Sequence, residues 1–186
     1  SNIFILLSGI LVGFLLPKVV GVSDYGYYKT FTLYATYVGI FHFGFVDGIY
    51  LKFGDKAYEE LDKKLFRSFS KVLLIVEGVI ALLFILVAIV VLKEANSKFI
   101  VVCLAVYLLF HNYIGFFQVI SQITKRFGDL SKRNFIQSLL ISCAVIGLYV
   151  LTNVADRRIS YMTYTLIYLV ITMVLMCWYM WTYRDL

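Results

Sequence analysis

The stretch Leu15–Phe53, LLPKVVGVSDYGYYKTFTLYATYVGIFHFGFVDGIYLKF, decides how the rest of the chain is read. One apolar run closes at Pro17, whose ring removes a backbone donor and stops a helix. A short polar turn follows. In it Ser23 and Asp24 stand where a new helix wants side-chain acceptors for its first N–H groups. A second long apolar run opens at Tyr25-Gly26, carries His42 and Asp47, and ends at Lys52. Two membrane-length helices joined this tightly are expected to be antiparallel neighbours.

The whole chain has the same character. Of its 186 residues, 62% are hydrophobic, 18% aromatic and 15% charged, with a mean hydropathy of +0.89. Ordinary soluble domains are closer to half apolar and a quarter charged, so a domain of this size has no interior large enough for that surface. A bilayer supplies one. The single proline fits long uninterrupted helices. The net charge of +6 is read by position, because basic residues beside membrane helices set orientation and do not mark a nucleic-acid partner.

The hydropathy pattern predicts an all-α integral membrane protein: one transmembrane lobe of six spans over residues 1–186, at about 3–20, 25–53, 72–92, 99–123, 134–151 and 161–183. The first run, Ile3–Leu16, is shorter than the ~20 residues a span needs, so a missing turn is expected before Ser1. No basic segment precedes the run and no small-residue cleavage site follows it, which argues against a signal peptide. Residues 55–70 place Tyr58, Leu61, Leu65 and Phe69 on one face and charges on the other. They are expected to form an amphipathic helix in the headgroup region. A calmodulin-type target would need a basic excess that this segment lacks. Trp178, Tyr179, Trp181 and Tyr183 gather as an interfacial aromatic belt would.

Lys52, Lys56, Lys63, Lys64, Arg67, Lys71, Lys125, Arg126, Lys132, Arg133 and Arg184 fall on one side of this layout. Lys18, Lys29, Lys93, Lys98, Arg157 and Arg158 fall on the other. The larger set belongs in the cytoplasm, which puts both ends of the fragment there and the chain in the cell membrane as a multi-pass protein.

Polar residues inside the spans carry the functional expectations. Tyr107, His111, Gly115, Gln118 and Gln122 recur at helical steps and form one stripe, which lipid solvates poorly. The stripe either lines a translocation path, hydrogen-bonding sugar hydroxyls, or glues packed helices together. Glu77 and Asp47 are the only acids well inside spans, at similar depth on neighbouring helices. They are the candidates for cation or proton coupling, Asp47 being close enough to the interface for a snorkelling Lys or Arg to neutralise it. Gly44 and Gly48 form a GxxxG expected to allow close helix packing, and His42 reads as a helix-interface residue. Ser138 and Ser142, one turn apart, fit helix packing. Cys103, Cys143 and Cys177 lie singly in apolar runs and read as buried inert thiols, with no metal site and no cofactor. No nucleophile–base pair, phosphate loop, HExxH or carboxylate dyad supports an enzyme.

The order of elements over Leu15–Lys64 resembles the start of a bacterial polysaccharide or oligosaccharide flippase of the multidrug/oligosaccharidyl-lipid/polysaccharide exporter superfamily. The resemblance is carried by an LP ending the first helix, a Gly, a Tyr-Gly opening the second, a Gly-rich end to that helix and the charged loop after it. Beyond Lys64 topology alone carries it. It implies an N-terminal lobe, one half of a carrier of about twelve or more helices around a midplane cavity. It also implies undecaprenyl-diphosphate-linked glycan as substrate, membrane lipid and the missing C-terminal lobe as partners, and alternating access as mechanism. One feature departs from the family: every Lys and Arg is expected in a loop or at a span end, leaving no cavity cation for the diphosphate. The alternatives are a proton- or sodium-coupled multidrug or cation exporter of the same superfamily, and a non-transporting structural subunit of a glycan assembly complex.

Overall fold

The computed structural model describes residues 2–54, 56–155 and 158–186. Asp55, at the head of the expected interfacial segment, and Asp156-Arg157, in the expected last turn, lie outside the described residues. Seven α-helices and no strand are present among the described residues: α1 (Asn2–Val20), α2 (Val22–Ala35), α3 (Phe45–Phe53), α4 (Lys63–Val90), α5 (Ala95–Ile123), α6 (Phe127–Ala155) and α7 (Tyr161–Thr182). Five of them, α1, α4, α5, α6 and α7, are long and apolar enough to cross a membrane. Their exteriors suit that solvent: Leu82, Ile89 and Val154 are among many large apolar side chains left exposed.

The long helices run between two common ends. At one end, the rings of Phe4 and Phe135 meet 4.6 Å apart, and Ser121 reaches Tyr183 at 2.7 Å. At the other, the Ile159 N–H donates to the Val19 carbonyl, and the Tyr161 hydroxyl to Asn96 at 2.9 Å. These pairings make α1 parallel to α6 and α5 parallel to α7, while α4 lies antiparallel to α5 through Glu77 and Asn112. Helix α5 is the axis of the bundle. Of its most apolar window 44% is buried, against 22% for α4 and 17% for α6.

The first hairpin differs from its reading in sequence. Helix α1 continues through Pro17 to Val20, because the Pro17 carbonyl still accepts the Gly21 N–H at 3.0 Å. The break falls at Gly21, whose φ of 85° a side chain disfavours. A Cβ there would also lie 3.0 Å from the Arg158 guanidinium. Asp24 does not cap α2; its carboxylate accepts the Tyr161 N–H at 3.0 Å, at the start of α7. Tyr28 and Thr32 then line one cleft with Ser8 and Val12, so α2 returns antiparallel beside α1 as expected.

The expected helix 25–53 is not continuous. It ends at Ala35, passes through a 3₁₀ turn at Val38–His42 and resumes as α3 at Phe45. Two successive left-handed residues, Phe43 (φ 49°) and Gly44 (φ 73°), make the junction. The segment nevertheless carries the chain from the Asp24–Tyr161 end back to the other, where Phe53 packs on Phe66 at 5.2 Å. The expected interfacial helix 55–70 is likewise divided. Tyr58–Glu60 form a 3₁₀ turn, and α4 starts at Lys63, capped by Asp62, whose carboxylate accepts the Lys64 and Leu65 N–H groups. Two helical turns of the charged segment thereby become part of a long helix, with Phe66 fully buried.

Candidate functional site

The stripe on α5 faces its neighbours in two ways. Tyr107, His111, Gly115 and Gln118 line a narrow cavity of about 140 Å³ together with Gln137 of α6 and Thr172 of α7. Gln122, half-buried, is not among the lining residues. The Tyr107 hydroxyl and His111 Nδ1 are 3.1 Å apart, and the same hydroxyl approaches that of Tyr168 at 3.5 Å. Tyr168 and Gln137 also line the larger cleft, of about 340 Å³, between α1, α2, α6 and α7. Ser8, Lys29, Thr32 and Ser138 supply its remaining polar groups, and Tyr28 and Tyr164 its rings. The two spaces share Gln137 in their walls, and Tyr107 of the narrow one touches Tyr168 of the larger one. Hydroxyls, amides and ring faces dominate this lining. That is a set able to donate to and accept from a polyhydroxylated ligand while covering its apolar faces.

Two cations correct the expectation that every Lys and Arg lies at a span end. Lys29 sits two turns into α2 and lines the larger cleft. Its ammonium lies 5.2 Å from the centroid of the Tyr25 ring, and among the described residues no carboxylate pairs with it. Arg133 was placed in a loop by sequence, but α6 begins at Phe127 and carries it inward. Its guanidinium is buried, donates to Thr182 at 2.8 Å, and stacks 4.1 Å from the Tyr179 ring. Its Nε and Nη1 have no partner. The Tyr179 hydroxyl lies near Arg133 and Gln118 without meeting hydrogen-bond geometry to either. The guanidinium thus stands one aromatic ring behind Gln118.

A second polar group lies about 100° around α5 from the stripe. Asn112 is buried, and its amide Nδ2 donates both to Glu77 Oε1 at 2.8 Å and to the Val38 carbonyl at 3.0 Å. Val38 opens the 3₁₀ turn in the broken second segment. Glu77 is 1% exposed. Asp47 does not share its setting, being exposed on α3, so the two acids form no common site. Gly44 and Gly48 do not make the expected close contact either: a Cβ at either would meet nothing within 4 Å. Gly44 is instead the left-handed residue preceding α3. His42 serves the same junction, its Nδ1 accepting the Gly44 N–H at 3.2 Å.

Other expectations shift for the same geometric reason. Tyr179 and Tyr183 are buried against Phe117, their rings stacked on it, while Trp178 is half-buried and Trp181 is 68% exposed; the two tyrosines of the expected belt are core and the two tryptophans are not. Cys103 is buried, but Cys143 and Cys177 are exposed on apolar helix faces, and all three are free. Outside the spans, Asp185 accepts from Lys63 and from Tyr58, both at 2.6 Å, which holds its carboxyl below the usual range. Burial and that same bond push the Tyr58 hydroxyl up. Glu94 is held low by hydrogen bonds from Ser97 and Tyr27. Among the described residues no group of three or more His, Cys, Asp or Glu gathers to hold a metal ion.

Sequence reasoning missed Asn112, Gln137, Lys29 and Arg133. Asn112 was the most accessible of these, an amide in an otherwise apolar run one position off the stripe, and so about 100° around the helix from His111. No protein-family model, curated protein or solved structure matches this chain.

Proposed function

We propose that the chain is one lobe of a membrane carrier that moves lipid-linked oligosaccharide or polysaccharide precursors across the cytoplasmic membrane. The observation that carries this reading is the polar cavity at Tyr107, His111, Gln118 and Gln137, set inside helices long enough to span a bilayer. The broken segment 22–53 joins the same two ends as the five long helices. It acts as a further crossing, giving six. The basic cluster of Lys63, Lys64, Arg67, Arg126 and Arg184 marks the cytoplasmic end by the positive-inside rule.

In this reading the glycan crosses through the hydrated space while its lipid tail stays among acyl chains. Neutral hydroxyl and amide groups exchange sugar hydrogen bonds for water hydrogen bonds at little net cost, which suits a path that must release what it binds. Lys29, with no carboxylate paired to it among the described residues, faces the phosphoryl groups where the lipid meets the sugar. A second lobe closes the other side, and the two rock to expose the space to each leaflet in turn.

The test is ligand retention by the purified full-length protein, read by native mass spectrometry. An undecaprenyl-diphosphate oligosaccharide is expected to be retained over undecaprenyl phosphate, and Gln118→Ala with Gln137→Ala is expected to remove that preference. Equal retention of the two lipids, or a preference untouched by both substitutions, contradicts the proposal.

A further inference from the structure

Among the described residues Glu77 is the one acid buried within a long helix, and half of its carboxyl is unanswered. Oε1 accepts from Asn112, whereas Oε2 has no partner at all. Helix α4 packs against α5 and the Val38–His42 turn. The titratable side chains there are Lys98, Cys103, Tyr107, His111, Tyr113 and His42. None bonds to or pairs with the carboxyl. Tyr107 and His111 bond to each other toward the cleft, Tyr113 bonds to Ser70, and His42 is taken by Gly44. An ionised carboxylate so placed would carry a charge with no counter-charge beside it, which burial strongly disfavours.

We infer that Glu77 is a buried proton-binding site whose occupancy decides, through Asn112, whether the break in the second segment stays latched to α4 and α5. This holds whatever the chain carries. A proton is favoured over a metal ion by the oxygens on offer. The Asn112 amide turns its N–H side to both Glu77 Oε1 and the Val38 carbonyl, so Oε2 alone is free. Hard cations take about six oxygens, and one is not enough.

The step is a simple ionisation. The carboxyl O–H bond breaks, the electron pair stays on the carboxylate, and the proton leaves to water. The Asn112 amide gives one N–H to Glu77 Oε1 and the other to Val38. The charged carboxylate, its Oε2 unanswered, draws water into the packing and pulls the amide with it, off the Val38 carbonyl. The Val38 carbonyl loses its only side-chain donor. The turn is already strained by left-handed Phe43, a conformation disfavoured for residues other than glycine. Released at Val38, the segment opens and admits water to the carboxylate. Protonation reverses each step.

Hydrogen–deuterium exchange of the full chain in lipid nanodiscs tests this, read on peptides covering residues 36–44 at an acidic and an alkaline pH. Glu77→Gln keeps the shape and the acceptor for Asn112 but has no proton to lose. Comparing it with the unmodified protein at the same pH cancels the intrinsic exchange rate. The two are expected to exchange alike at acidic pH, with the unmodified protein roughly tenfold faster at alkaline pH. Asn112→Leu is expected to be fast at both. Exchange that is the same in both proteins at both pH values overturns the inference, as does a difference that does not change with pH. Because the unmodified chain carries its own titration, absence of an alkaline acceleration in it alone also overturns the inference, even if a variant fails to fold.

Discussion

His111 and Asn112 are neighbours in sequence, yet one faces the cleft and the other the lock on Glu77 and Val38. On the cleft side the polar groups are loosely paired: Tyr107 and His111 meet at 3.1 Å, His111 is exposed, and Gln118 is half-buried. On the lock side Asn112 is 2% exposed and uses one nitrogen for two short bonds. A polar side chain in a span is therefore no single signal. Its meaning is set by which way the helix turns it. Loosely held groups suit exchange with water and ligand, while fully engaged ones fix the backbone.

The largest effect should fall on the lock. Asn112→Leu leaves the buried Glu77 carboxyl without its one donor and removes the side-chain bond to Val38, and should destabilise by about 3 kcal/mol. His111→Leu, on the neighbouring residue, should cost less than about 1 kcal/mol. Thermal unfolding of the two variants in one detergent measures both, and equal losses would erase the contrast.

Arg133 sharpens it from the cleft side. Its two unpartnered nitrogens make it a costly residue to bury, only partly offset by stacking on Tyr179. Arg133→Met should raise stability by about 1 kcal/mol, while weakening ligand retention if the charge behind Gln118 is used. A fall in melting temperature would show that the guanidinium is a structural element instead.

The smallest effect lies at the basic end, where Lys63–Asp185 is the one ion pair among the described residues. Both side chains are nearly half exposed, so Asp185→Asn should cost no more than about 1 kcal/mol, and less in high salt. The Asp185 carboxyl is held below its unfolded value, first by Lys63 and then by Tyr58. Its contribution is therefore present above the unfolded pKa and disappears as pH falls through the folded one. Melting the unmodified protein and Asp185→Asn along a descending pH series should show the two curves converging.

These contrasts also mark what a linear reading reaches. Apolar length alone located α1, α4, α5, α6 and α7, because crossing a bilayer constrains composition over some 20 residues at a time. Helical spacing alone brought Tyr107, His111, Gly115 and Gln118 to one cavity, since a single helix fixes their relation. The break at 36–44 was not legible. It contains no proline, and its glycines read equally well as packing residues. What stabilises it is a contact from Asn112, over seventy positions away. Arg133 was misplaced because the loop before α6 is only three residues long, with left-handed Lys125 in the middle. A run of Lys and Arg looks like a longer loop than that. Gln137 and Lys29 needed the packing of α1, α2, α6 and α7 before they had a shared space to line.

The central claim is that α5 turns a wet face to the cleft and a dry face to the core. Single cysteines at Gln118 and at fully buried Ser121, in membranes and with Cys143 and Cys177 replaced by serine, can be exposed to a water-soluble thiol reagent. The account predicts that the cysteine at 118 is modified and the one at 121 is not. Equal resistance at both positions would mean that the stripe is dry helix packing, and the cleft would lose its role.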